Sequence, residues 1–127
     1  MTQTPDEFMK AYERATNSHD LERTLALIAA DAVYLFSDES VHVGKEAIAR
    51  ALKRNFDLIA GETYAIANLT WLVQSAEVAA CVYDFSWSGT IRGEPAAGAG
   101  RGTTVLRRAG TTWRVVHEHL SRGRFAA

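Results

Sequence analysis

The spacing of apolar residues changes about halfway along the chain. Over residues 5–17, Phe8, Tyr12 and Ala15 recur at i, i+4 and i+7, which predicts a helix with one apolar face. Over residues 45–60, Ile48, Leu52, Phe56 and Ile59 form the clearest such stripe and predict another. Thr4-Pro5-Asp6-Glu7 marks the first start: Thr4 can cap, Pro5 suits the first helical position, and Glu7 completes a capping box. Asn17-Ser18-His19-Asp20 breaks that helix, and Asp20 can cap a short second one carrying Leu21, Leu25 and Ile28. Ala32 to Phe36 then reads as a short strand, closed by Ser37-Asp38-Glu39-Ser40. Val41 to Gly44 leads into the third helix, which Gly61 ends.

Beyond Gly61 the period is two. Thr63–Val73, Val78–Ser88, Thr103–Arg108 and Thr112–Ser121 are rich in β-branched and aromatic residues and are predicted strands. Residues 74–77 and 109–111 are tight hairpin connections. Residues 88–102, dominated by glycine and alanine, are expected to be a long flexible hairpin loop, with Arg92 and Glu94 at its solvated tip. Helices first and a meander afterwards is an α+β pattern, a curved antiparallel sheet with helices on one face.

Composition narrows the picture. At 127 residues, one domain over 1–127 is expected. Fourteen basic residues against fifteen acidic ones give a net charge of −1, with no footprint for nucleic acid or anionic lipid. No apolar run approaches the ~20 residues of a membrane span, and the polar start does not resemble a signal peptide. Cys81 is alone. The expectation is a soluble, cytoplasmic protein without a cofactor.

The last strand contains His117-Glu118-His119. Without a bulge, Arg114, Val116, Glu118 and Leu120 share one face, and Trp113, Val115, His117, His119 and Ser121 the other. His-x-His is a metal-ligand spacing, but His19, His42 and Cys81 give no third ligand at recognisable spacing, so no metal site is expected. Ser121 lacks a glycine elbow and a base–acid pair, which disfavours nucleophilic catalysis. Tyr12, Tyr34, Phe36, Trp71, Tyr83, Phe85 and Trp87 read first as core. A subset that reaches a pocket is the alternative.

Three stretches carry a resemblance. They are Tyr12-Glu-Arg-Ala-Thr-Asn-Ser-His-Asp20 with Leu27-Ile-Ala-Ala-Asp-Ala-Val33, then Gly44-Lys-Glu-Ala-Ile48, and Gly102-Thr-Thr-Val-Leu-Arg-Arg108 with Trp113-Arg-Val-Val-His-Glu-His-Leu-Ser121. With the element order they resemble the nuclear transport factor 2-like superfamily, in particular SnoaL-like proteins. The closing hairpin is also similar to the association domain of calcium/calmodulin-dependent protein kinase II. The resemblance implies a cone-shaped sheet with a pocket at its wide end and a homodimer through the outer sheet face. It does not imply one chemistry, since folds host many. The ketosteroid isomerases of this superfamily use an Asp base and an oxyanion hole of Tyr and protonated Asp. Set against them, the oxyanion tyrosine falls on Tyr12. The base falls near Phe36 and the second oxyanion acid near Thr104, so that mechanism is not expected. The kinase domain's pocket arginines match Thr104 and Leu120. The resemblance puts Val116, Glu118 and Leu120 inside, with Tyr12, Phe36, Trp71, Phe85, Trp87 and Thr104 as further pocket residues. Glu118, desolvated near Tyr12 and Thr104, could act as acid or base. The more ordinary reading of such a residue is a Glu that bonds a backbone amide or an arginine of a neighbouring strand, such as Arg107 or Arg101. If a bulge reversed the strand, His119 would become the base.

The expected function is small-molecule binding in an apolar cone. The alternatives are an acid–base isomerase, cyclase or dehydratase acting on a polyketide- or steroid-like metabolite, and an oligomerisation module. The face bearing Trp113, Val115, His117 and His119 is expected to form the dimer interface.

Overall fold

Thr4 caps helix α1 (Pro5–Ser18) reciprocally in the computed structural model, which describes residues 2–126. Its Oγ1 accepts from Glu7 N at 3.1 Å, while Glu7 Oε1 accepts from Thr4 N at 2.9 Å. Met1 and Ala127 lie outside the described residues. His19 leaves the helix with φ 54, and Asp20 Oδ1 accepts from Arg23 N at 3.1 Å to start α2 (Leu21–Leu25). Strands β1 (Ile28–Leu35) and β2 (Val41–Val43) precede α3 (Lys45–Leu58). Then come β3 (Ala60–Gln74), β4 (Val78–Ile91), β5 (Glu94–Ala109) and β6 (Thr112–Ser121).

The six strands form one sheet in the order β2-β1-β6-β5-β4-β3. All neighbours are antiparallel except β1 and β6, which are parallel. The architecture is α+β, with the helices against the inner face of a curved open sheet. Ile28 opens β1 rather than closing the second helix, because Leu27 O already accepts from Val115 N of β6 at 2.9 Å. Pairing with the sheet outweighs the helical spacing there.

The largest departure from the sequence expectation is at residues 88–102, which are not a loop. Arg92 and Gly93, with φ 52 and 81, make a two-residue turn of the kind that matches strand twist. The two strands then pair from Ile91–Glu94 back to Val78–Arg107. Glycine is present there because rings lie over it. A Cβ on Gly100 would stand 2.7 Å from the Phe85 ring, and one on Gly102 2.6 Å from the Tyr83 ring. Gly98 faces Trp87 in the same way. Three alternate glycines thus make room for three alternate aromatic side chains of β4.

The long β3 edge is covered from α1. Asn17 accepts from Tyr64 N and donates to Tyr64 O, both at 2.7 Å, as a neighbouring strand would. Glu13 Oε2 accepts from Ile66 N at 2.7 Å. Two side chains therefore satisfy edge groups that would otherwise be open to another chain, and they fix α1 across the sheet. Phe8, Tyr34, Ile48, Leu106, Trp113 and Val115 are fully buried at the centre.

Candidate functional site

Strand β6 builds the site through one irregularity. His117 pairs with Val105, but the next β5 residue, Leu106, pairs with Val115, so Val116 is an extra residue and the alternation shifts by one. Before the bulge, Trp113 and Val115 point inward and are fully buried. After it, Glu118 and Leu120 point inward, His117 is half-buried on the outer face and His119 is exposed. The expectation of an unbroken strand therefore fails for Trp113 and Val115. They belong to the core and cannot belong to an outer interface. Val116 is half-buried at the bulge and does not line the cavity.

Glu118 pairs with Tyr34 of β1 on one side and Thr104 of β5 on the other. Its side chain therefore meets Tyr12 of α1, whose hydroxyl donates to Glu118 Oε1 at 3.0 Å. The Tyr12 and Tyr34 hydroxyls are 2.7 Å apart. Tyr12 has one proton, so while Glu118 is ionised the order of donation is Tyr34 to Tyr12 to Glu118. Beside them Thr104 Oγ1 and the Tyr83 hydroxyl bond each other at 2.7 Å. Neither Arg107 nor Arg101 reaches the carboxylate. Arg107 binds Asp31 at 3.0 Å and Arg101 binds Ser121 at 3.2 Å, both at exposed positions.

Burial pushes the Glu118 carboxyl up to about 7, and the hydroxyls of Tyr12, Tyr83 and Thr104 only partly oppose this. Burial also raises the phenols of Tyr12, Tyr34, Tyr64 and Tyr83, with the Glu118 charge adding to it. They stay neutral, as hydrogen-bond donors. A carboxyl close to neutrality can take a proton or give one, and in its neutral form can hold a carbonyl oxygen.

Glu118 forms part of the wall of a cavity of about 290 Å³ between α1, α3 and the sheet. Tyr12, Phe36, Phe85, Trp87 and Leu120 line it as expected residues. Trp71 does not; its indole N–H instead donates to Asp6 at 2.7 Å, at the start of α1. Thr104 lies buried behind the wall, tied to Tyr83. Sequence reasoning missed Tyr64, whose ring stacks on Phe85 at 6.2 Å, and the α3 side chains Arg54, Asn55 and Phe56. Phe56 belongs to the recognised apolar stripe, but that it lines a cavity is decided by how α3 packs against the sheet. His119 faces a separate outer cleft of about 520 Å³ with the β1–β2 turn, Ser121 and Arg122. His117 Nδ1 bonds Val33 O at 2.8 Å. No cluster of metal-ligating side chains occurs among the described residues.

The model of the SnoaL-like domain matches residues 6–124. The chain belongs to that family. No curated protein matches the sequence. The fold of this SnoaL-like chain is that of the nuclear transport factor 2-like superfamily. A superfamily protein from Salmonella enterica superposes with a TM-score of 0.83 at 19% identity, covering 95% of this chain and 89% of that one. A candidate scytalone dehydratase from Novosphingobium aromaticivorans gives 0.80 at 15% identity, over 91% and 78%. A candidate calcium/calmodulin-dependent protein kinase II association domain from Xanthomonas campestris gives 0.80 at 17%, over 91% and 82%. At such identities the likeness speaks for the fold. No helix of the described residues is long and apolar enough to cross a membrane.

Proposed function

We propose that this SnoaL-like chain acts as one domain that binds a small, mainly apolar molecule in the cavity, with Glu118 as the polar group that meets it. The observation that carries the reading is a buried carboxyl, 5% exposed, in the wall of a mainly apolar cavity that six aromatic side chains help to line. Pockets of this composition, apolar with few convergent polar groups, are the usual form of a ligand site. A titration with 2-naphthol, read by tryptophan emission, tests it. Saturable quenching is expected in the wild type, with affinity at least about tenfold weaker in Glu118→Gln, a near-isosteric change worth about 1.4 kcal/mol or more. Equal affinity in the two proteins would remove Glu118 from the site.

A second reading, general acid–base catalysis of an isomerase, cyclase or dehydratase kind, is favoured by the 3.0 Å contact between Tyr12 and a carboxyl held at about 7. Both protonation states are then populated at neutral pH, which suits an acid–base group. The ketosteroid isomerase arrangement is not retained, since Phe36 has no proton acceptor and Thr104 is engaged by Tyr83. Glu118 would act with Tyr12 alone. The oligomer reading has the two subunits meet on the outer sheet face, around Val33, Leu35, Val105 and His117, which are all half-buried in the single chain. Light scattering at micromolar concentration should give twice the 13.9 kDa of one chain; a monomer would refute the dimer.

A further inference from the structure

We infer that the cavity is shaped for a small organic cation, an amine whose ammonium group lies against Glu118 and whose apolar body lies among the aromatic rings. This rests on the ligand-binding reading above and specifies the ligand's charge. Among the described residues Glu118 has no countercharge. The described residues form three ion pairs, His19–Glu62, Lys53–Asp57 and Arg107–Asp31, and none includes Glu118. The groups packed on it from α1, β1, β4 and β5 are Tyr12, Tyr34, Tyr83 and Thr104, all uncharged hydroxyls. A buried carboxylate without a cation is unfavourable, and a ligand that brings one removes that deficit.

The rest of the wall also suits a cation. Phe36, Phe56, Tyr64, Phe85 and Trp87 present rings to the same space, and ring faces attract cations. The other charged lining groups are Asp38, Glu62 and Arg54. Asp38 accepts from Ser40, which also bonds His42, and Glu62 holds His19 at 2.7 Å. Arg54 is exposed, so water screens it, whereas Glu118 is buried and unscreened. Depth thus decides the sign of the site. An anionic ligand would place a second negative charge beside Glu118, and a neutral one would leave its charge unmatched. The cavity, about 290 Å³, is at the small end of ligand pockets and suits an amine with about one or two rings.

Phenethylamine, phenethyl alcohol and phenylacetate share a frame and differ in charge, so calorimetric titration of the three tests the inference. At pH 8 the amine should bind at least tenfold tighter than the alcohol, and phenylacetate weakest. Glu118→Gln, with its fold checked by circular dichroism, should make amine and alcohol equal. The wild-type preference should also shrink as pH falls from 8 to 5.5 and Glu118 takes a proton. That arm does not depend on the variant, and where the variant folds it serves as control for His19 and His42. Alcohol binding as tightly as amine at pH 8, or a preference flat with pH, would overturn the inference while leaving the cavity a ligand site. Binding of none of the three would overturn both readings.

Discussion

The two ends of the sheet's inner face are built from the same strands and serve opposite purposes. At one end Trp113, Val115, Ile28, Leu106 and Phe8 are buried to 1% exposure or less and leave no room. At the other, Phe85, Trp87, Tyr64 and Leu120 surround a cavity with a carboxyl in its wall. Strand β6 contributes Trp113 and Val115 to the first and Glu118 and Leu120 to the second, and the Val116 bulge separates them. Close packing stabilises the closed end. The open end gives up some of that stability, since a desolvated carboxyl and an unfilled space both weigh against folding. The site's chemistry thus depends on a scaffold rigid enough to hold an unfavourable group in place.

Breaking the closed end should have the largest effect. Trp113→Ala removes a fully buried ring and its N–H bond to Gln3 O at 3.0 Å, and should lower unfolding free energy by about 3–5 kcal/mol. Urea denaturation measures this, and a loss under about 1 kcal/mol would show that this end is not the scaffold. The open end should respond with the opposite sign. The folded Glu118 carboxyl, at about 7, lies above its ordinary 4.5. The folded state therefore holds a proton that the unfolded chain has lost between those pH values. Stability is highest with respect to this group below 4.5 and falls as pH rises through about 7. The total is on the order of 3 kcal/mol. Glu118→Gln should remove that slope and be more stable than the wild type at pH 8; a variant that keeps the slope would assign it to another group.

Two smaller changes sharpen the boundary between the ends. Gly102→Ala puts a methyl where the Tyr83 ring lies, and should cost about 1–3 kcal/mol by overpacking in thermal or urea unfolding. A neutral result would mean that the ring is free to move away. Asn17→Ala removes two hydrogen bonds to the β3 edge at an exposed position, and should cost about 1 kcal/mol, together with faster amide exchange at Tyr64. Unchanged exchange at Tyr64 would show that the edge is protected by something else.

Much of the fold is legible in residue spacing, because helices and strands impose periods of their own. The Thr4 box, the Asp20 cap and the apolar stripes of α1 and α3 lie within a few residues of what local chemistry dictates. Residues 88–102 are the largest exception, because glycine by itself reads as flexibility. Alternate glycines at 98, 100 and 102 are a strand signal in hindsight, but the reason for them lies in the rings of the neighbouring strand. Trp71 shows the limit for aromatic residues. Alternation does not tell that its indole meets Asp6 rather than the cavity.

By itself, then, the sequence determined the order of elements, their approximate bounds, the family pattern and the presence of a carboxyl between two histidines. Those properties are local, set by side-chain period, capping and turn chemistry. Only the tertiary structure decided which way that carboxyl points and what it meets. One extra residue at Val116 reverses every side chain on one side of it relative to the other, and no local preference announces it. Tyr12 reaches Glu118 across 106 residues of chain, and the carboxyl stands near 7 because the surrounding fold excludes water from it. Desolvation is a property of the assembled neighbourhood, so it enters only once the helices have closed on the sheet.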